Sequence, residues 1–171
     1  MANTFELIAS STVGAGGASA FDFTSIPSTY TDLVVKLSSR TTNAADWVEY
    51  TMAYNGTSAS GSWRAVFGTG SSASSTTNAS TAYAGESAGT NFTASTFASS
   101  DIYIPNYTST ASSKSFSTDS VTENNATTSI AIMVAGLMTG ASAAINRLYI
   151  ATTGGNFAQY STAYLYGVKN A

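Results

Sequence analysis

Among the nine acidic residues, two pairs that lie close together in the sequence are the first candidates for acid–base catalysis. Asp46 and Glu49 stand three positions apart, whereas Asp119 and Glu123 share a polar stretch that is typical of a loop. Glycoside hydrolysis needs two carboxyl groups facing each other across the bond, but a separation of three places Asp46 and Glu49 on opposite faces of a strand. Solvated surface acids are therefore the favoured interpretation of both pairs, while a pair assembled from distant positions stays open.

The sequence contains no histidine and no cysteine. Serine–histidine and cysteine–histidine nucleophile systems are therefore impossible, and the commonest zinc ligands are missing. Neither a phosphate-binding P-loop nor a calcium-loop pattern occurs. We accordingly predict a protein that is not an enzyme and that has no cofactor and no metal site. Calcium bridging between subunits through acidic side chains is an alternative that no motif supports.

Aromatic side chains are the second group with a chemical use, because tyrosine and tryptophan rings can stack on sugars. Core packing and cross-strand pairing are their commoner uses in β proteins. Glycan binding is therefore kept as the less favoured interpretation of these rings. The candidates are Trp47, Tyr50, Tyr54, Trp63, Tyr103, Tyr107, Tyr149, Tyr160, Tyr164 and Tyr166.

Charge is scarce in this chain and slightly negative. Six basic residues stand against nine acidic ones, for a net charge of −3, which is too weak and of the wrong sign for a phosphate-binding surface. We therefore predict no nucleic-acid partner. Only 9% of the residues are charged, against roughly 25% in typical domains. A surface of small hydroxyl side chains is suited to being covered by a neighbouring subunit, because serine and threonine are cheaper to bury than lysine or glutamate.

Neither the first residues nor the most apolar segment predicts a membrane association. The opening MANTFELIAS lacks a basic stretch followed by a long apolar run, so we expect no signal peptide. Ile130–Met138 is about half the length needed to cross a bilayer.

The elements that must position these side chains are strands, since apolar and polar residues alternate in most segments. In the segment from Asp32 to Arg40, Leu33, Val35 and Leu37 point to one face and Lys36 and Ser38 to the other. The predicted strands are Phe5–Ala9, Ala20–Phe23, Asp32–Arg40, Trp47–Tyr54, Ser62–Phe67, Thr96–Ile104, Lys114–Ser117, Ser129–Met138, Ala144–Ala151 and Thr162–Val168.

Three local features lead to more specific expectations. Asn55-Gly56 is a strong turn signal, which predicts a hairpin between Trp47–Tyr54 and Ser62–Phe67. Ser129–Met138 has no charge, so we expect it to be central and buried on both faces. Gly68–Asn91 is rich in small residues and predicts a long surface excursion without a core. The expected core is Leu33, Val35, Leu37, Ile130, Ile132, Val134, Leu148, Ile150 and Leu165.

No segment carries a helical apolar stripe between caps, so the chain is predicted to be all-β. Eight to ten strands separated by glycine, proline and asparagine favour an antiparallel β-sandwich, with a jelly roll as the expected form. We expect one domain over residues 1–171, with residues 1–18 as a possible extended N-terminal arm and residues 68–91 as the surface excursion.

Three motifs carry a resemblance that extends over nearly the whole chain and is loosest over Gly68–Asn91. They are IPSTYTDL at residues 26–33, IPNY at residues 104–107 and STAYLYG at residues 161–167. In these features the chain resembles a family of small β-sandwich structural proteins in the virions of tailed bacteriophages. The motifs are structural in that family, so the resemblance implies a fold and a place in the particle but no active site.

The resemblance implies one of two roles in the virion, which is assembled in the host bacterial cytoplasm. One is a capsid decoration (cement) protein that binds the major capsid protein; the alternative is a tail-fibre or tail-tip protein that binds a host-surface glycan. The absence of heptads and fibrous repeats favours decoration.

A decoration protein is expected to act as a homo-oligomer, and a trimer would match the three-fold positions of an icosahedral shell. The expected contact surfaces are the segment Ala2–Ala18 and the excursion Gly68–Asn91. Within the first of these, the candidate partner-binding residues are Ala2, Asn3, Thr4 and Phe5.

Overall fold

A computed structural model describes residues 4–56, 60–139 and 142–169 of the protein. Within these ranges the regular structure consists of twelve strands and no helix, which confirms the all-β prediction. The strands are β1 (Phe5–Thr12), β2 (Ala20–Phe23), β3 (Asp32–Ser39), β4 (Trp47–Tyr54), β5 (Gly61–Gly68), β6 (Ala73–Asn78), β7 (Tyr83–Ala88), β8 (Ala98–Ile104), β9 (Lys114–Glu123), β10 (Ser129–Met138), β11 (Leu148–Thr152) and β12 (Thr162–Val168).

The strands form two antiparallel sheets that pack as a sandwich. The large sheet has eight strands in the order β1-β12-β3-β8-β9-β10-β5-β6, and the small sheet has four in the order β2-β11-β4-β7. One hydrophobic cluster contains residues from both sheets. The predicted antiparallel sandwich is therefore confirmed.

The connectivity of eight of the strands is that of a jelly roll. Strands β1 to β4 pair in turn with β12, β11, β8 and β7. These pairs lie alternately in the large and the small sheet, as in a long hairpin wrapped around a core. The jelly-roll form expected from the sequence is the form observed.

Two inserted hairpins account for the other four strands. The pair β5–β6 follows β4, the pair β9–β10 follows β8, and both join the large sheet beyond β8. As a result only the large sheet is extended, to twice the width of the small one. The insertions thus create most of the broad outer face described below.

The hairpin predicted between β4 and β5 is wrong. Asn55 and Gly56 do turn the chain, with φ of 53° and 76°. However, β4 already has β11 and β7 on its two edges, so β5 pairs in the other sheet, with β10 and β6. The Asn55 side chain instead fixes the segment before β11, donating to the carbonyl of Ala144 at 2.7 Å and accepting from the N–H of Asn146 at 2.8 Å.

The core prediction is confirmed, since all nine expected residues are buried. The expectation that β10 is covered on both faces is wrong. Ile130, Ile132 and Val134 face the core, but Met133 between them is 64% exposed. β10 is central in its sheet, with β9 and β5 as neighbours, yet its second face is open. β10 lacks charged residues because its solvent-facing positions hold small and apolar side chains, and not because both of its faces are buried.

Strand β9 is longer than the four residues predicted at Lys114–Ser117. Its inward positions beyond Phe116 are Thr118, Ser120 and Thr122, all of them buried. Hydroxyl side chains therefore take the places where apolar ones would mark a strand, and the hydrophobic period weakens. The polar loop expected around Asp119 and Glu123 is consequently wrong, since both residues belong to β9.

The surface excursion predicted over Gly68–Asn91 is half right. Strand β6 is exposed throughout, but β7 is buried at all six positions. Small residues let β7 lie close to the large sheet, and Gly85 has a φ of 142° where a Cβ would collide with the Tyr50 hydroxyl. The Tyr83 ring packs against Trp63 with centroids 4.6 Å apart and ring planes tilted by 40°. The residues of β7 are buried because small side chains let its backbone lie close to the large sheet. Since few of these residues are large and apolar, a hydrophobic pattern could not predict their burial.

An extended arm over residues 1–18 is not observed in its described part. Strand β1 is the edge of the large sheet, where Phe5 pairs opposite Val168. The N–H of Lys169 donates to the carbonyl of Thr4 at 3.0 Å and continues this pairing. The first residues that the structure describes are therefore fixed against β12, whereas residues 1–3 lie outside the described ranges.

The three motifs that carry the resemblance meet at one corner of the fold. The Tyr107 hydroxyl donates a hydrogen bond to the carbonyl of Pro27, and Tyr107 is fully buried. A Cβ on Gly167 would collide with the ring of Tyr30, so glycine is required for this contact. The motifs thus join the entry to β3 with the ends of β8 and β12, which is a structural role.

Candidate functional site: the outer face of the large sheet

The broad outer face of the large sheet carries the candidate site. Side chains alternate between core and solvent along each strand, and the register aligns the outward ones in rows across the sheet. One row crosses all eight strands in the order Ser10, Tyr164, Lys36, Asp101, Asp119, Met133, Val66 and Ser75.

Exposed apolar side chains are concentrated on this face. Val66 is 52% exposed, Met133 64% and Tyr103 41%. Among the described residues, Tyr160 is the one large exposed apolar side chain that lies elsewhere. The others are Phe5, Leu7, Val66, Tyr103, Val121, Met133 and Tyr164.

A shallow groove of about 750 Å³ runs over the inserted strands and β8 on this face. We call it the outer groove. Apolar side chains form its floor, and hydroxyl groups of β6 border one side. Its lining includes Arg64, Val66, Ser75, Tyr103, Asp119 and Met133.

Charged side chains of both signs lie at the groove, with Lys36 and Arg64 against Asp101 and Asp119. Lys36 forms an ion pair with Asp101, and both side chains are about half exposed, so the pair contributes little stability. Asp101 stands directly opposite Asp119, an unfavourable pairing of like charges. Within residues 4–56, 60–139 and 142–169, Asp119 forms no ion pair. Asp119 therefore presents a carboxylate without a direct ion pair beside the apolar floor of the groove, which Arg64 also lines.

The carboxylates considered for catalysis are not brought together. Asp46 accepts a hydrogen bond from the Asn91 amide at 3.1 Å, and Glu49 lies on β4 of the small sheet. Asp119 and Glu123 lie on β9 of the large sheet. In the described part of the chain, no group of three or more acidic side chains could hold a metal ion.

Most of the candidate sugar-stacking rings are buried. Tyr50, Tyr54, Trp63 and Tyr107 belong to the core. Trp47 packs edge-on against Phe92, with centroids 6.2 Å apart. The rings that remain most accessible are Tyr103, Tyr160 and Tyr164.

Tyr103 is held in a fixed orientation at the groove. Its hydroxyl donates to the Asp32 carboxylate at 2.6 Å. This hydrogen bond raises the pKa of the Tyr103 hydroxyl above its usual value. The ring therefore presents a rigid surface to anything that enters the groove.

Glu86 is a buried carboxyl group that sequence reasoning did not single out. It is 3% exposed, and burial raises its pKa to about 8. Oε1 accepts a hydrogen bond from the Tyr83 hydroxyl at 3.1 Å, while Oε2 has no partner among the described residues. A raised pKa can mark a catalytic acid, but this group is closed off from solvent. Its neighbours in TAYAGESA show no period that would have placed it inside.

The four candidate partner-binding residues are only partly described. Ala2 and Asn3 lie outside the described residues, whereas Thr4 and Phe5 are exposed. Phe5 is 55% exposed at a corner of the outer face. Its role in partner binding stays a prediction.

Comparisons with known proteins give no relative to argue from. No family model, no curated protein and no solved structure matches the chain. Over the described ranges, no helix has the length and apolar character needed to span a membrane. A role for the protein must therefore be inferred from the chain's own chemistry and from the resemblance of its motifs.

Proposed function

We propose that the protein is a non-enzymatic structural component of a bacteriophage virion, a capsid decoration protein that docks on the major capsid protein lattice. The observation that carries this proposal is the concentration of exposed apolar side chains on the outer face of the large sheet. Exposed apolar side chains that gather on one face of a folded domain typically mark an interaction site.

The composition of the outer face favours docking on a protein surface. Around the groove, Val66 and Met133 would supply apolar contact, while Ser75 and Ser117 are cheap to desolvate. Interface cores are depleted in lysine and glutamate and enriched in tyrosine and methionine. Tyr103 and Met133 fit this composition, whereas Asp119 opposite Met133 would need a basic group of the partner.

Docking across neighbouring capsid subunits would reinforce the shell without any chemical reaction. A protein that binds only the assembled lattice stabilises that lattice by mass action. A homo-oligomer, with the trimer as the form expected for three-fold positions, would multiply the contacts. No nucleic acid, membrane or cofactor takes part in this proposal.

A charge placed in the apolar floor of the groove tests the proposal. We expect Met133→Asp to weaken binding to capsids that lack the protein by about tenfold or more, because an unpaired carboxylate would be desolvated in the interface. Cosedimentation with purified capsids measures this affinity. Gln159→Asp is the matched control, since residue 159 is exposed outside the large sheet. Equal binding by both variants and the wild type would exclude this face as the docking surface.

A tail-tip protein that binds a host glycan is the second candidate. The observation in its favour is that Tyr103 and Tyr164 expose their rings on the same face, as a sugar-stacking platform requires. Copy number in the particle separates the roles, because a decoration protein covers the shell whereas a tail tip has few copies. Binding to host polysaccharide that is lost in Tyr103→Ala, without binding to capsids, would favour the tail.

A further inference from the structure

The free edge of β6 is an open pairing site. Among the described residues, β6 is the outermost strand of the large sheet and pairs with β5 alone. All six of its residues are exposed. Its second edge therefore presents backbone N–H and C=O groups that pair with no described strand, and such groups are a template for another strand.

The two edges of the large sheet differ in how they are protected. At β1 the register shifts between Leu7 and Ala9, and a bulge of this kind discourages pairing with a further strand. Glu6 of β1 also forms an ion pair with Lys169. Strand β6 has continuous register with β5 and contains no charge, proline or bulge. Strand β6 therefore has none of these features, by which natural edge strands avoid pairing with another strand.

The composition around β6 is suited to pairing with an identical strand. A charge in a self-pairing strand meets the same charge on its copy, but no charged residue occurs from Ala65 to Gly85. Serine and threonine pairs across antiparallel strands are favourable. The exposed side chains of ASSTTN would supply such pairs on both faces of the sheet.

We propose that two copies of this chain associate through antiparallel pairing of their β6 strands. A two-fold axis perpendicular to the sheet places each β6 against its copy in the antiparallel sense, which joins two eight-stranded sheets into one. Ser75, Thr76 and Thr77 of β6 also line the outer groove. The association therefore brings the grooves of both copies side by side on one continuous face.

This pairing does not depend on the capsid role, and it predicts a dimer instead of the trimer expected from the sequence. We expect sedimentation equilibrium of the purified protein to show a concentration-dependent dimer. Thr76→Lys should weaken self-association by about tenfold or more, because like charges then face each other. Ser10→Lys places the same charge on exposed β1 at the other edge and should leave it unchanged.

Cysteine cross-linking locates the contact, since the natural chain has no cysteine. Single variants Ser74→Cys, Ser75→Cys, Thr76→Cys and Thr77→Cys should form a disulfide-linked dimer with a maximum at the position nearest the two-fold axis. Ser10→Cys is the control. A protein that stays monomeric, a trimer, or a dimer that is broken by Met133→Asp and not by Thr76→Lys would overturn the proposal.

Discussion

Glu86 shows how a single side chain can couple this fold to pH. Its carboxyl group is buried beside Tyr83 and opposite Glu49 on the neighbouring strand. Burial is the largest cause that raises its pKa, and the Glu49 charge adds to the effect. The hydrogen bond from Tyr83 acts in the opposite direction without cancelling it. The protein interior therefore favours the neutral acid.

The raised pKa predicts that stability decreases with rising pH. An unfolded glutamate ionises near 4.5, whereas the folded one keeps its proton until about pH 8. The contribution of Glu86 to the free energy of unfolding should thus be highest below the unfolded pKa, fall by up to about 1.4 kcal/mol per pH unit between the two values, and level off above the folded pKa.

Urea denaturation across this pH range measures the effect, with Glu86→Gln as the comparison. The amide is nearly the same shape and can still accept the bond from Tyr83, but it does not titrate. We expect the variant to show a flatter pH profile and to be more stable than the wild type at pH values above 8. Identical profiles would show that Glu86 is solvated or otherwise compensated.

At the scale of elements, neighbouring residues of β10 differ in how much they should contribute to stability, because one faces the core and the next faces solvent. Ile132 is 1% exposed and Met133, its neighbour in the chain, is 64% exposed. We expect Ile132→Ala to cost about 2–5 kcal/mol of unfolding free energy, because it removes packed volume from the core. Met133→Ala should change it by less than about 0.5 kcal/mol. Equal effects in chemical denaturation would show that β10 does not have the orientation described.

The strands that could be predicted from the sequence are those whose inward residues are apolar. In β3 and β12, Leu33, Val35 and Leu165 mark the core face directly. In β7 and β9 the inward or buried positions hold residues such as Gly85, Ser87 and Ser120, which are also common in loops. The pairing partners could not be predicted either. A turn signal such as Asn55-Gly56 shows that the chain bends, but not which sheet the following strand joins.

The candidate site was less accessible to sequence reasoning than the core. Met133 and Val66 are read as core residues from their type alone, yet they meet in register on the solvent face. The pairing register decides which alternate side chains of a strand face the solvent, and partner strands far away in sequence fix that register. The outer groove is thus a product of topology, which short-range patterns do not contain.

At the scale of the whole molecule, both sheets contribute to one hydrophobic cluster. We therefore expect a single cooperative unfolding transition rather than separate loss of the inserted hairpins. Trp63 of β5 packs against Tyr83 of β7, so in a Trp47→Phe background tryptophan fluorescence reports contact between the sheets while far-UV circular dichroism reports strand content. The two denaturation curves should coincide. A fluorescence change that precedes the circular dichroism change would show that the extension of the large sheet opens on its own.

The adjacency of β1 and β12 has a mechanical consequence. Phe5 lies opposite Val168, and the strands run antiparallel from that end of the sheet. A pull that separates residues 4 and 169 would therefore load the hydrogen bonds between β1 and β12 one after another, like a zipper, instead of all together in shear. The strand peels at low force, whatever the thermodynamic stability of the core.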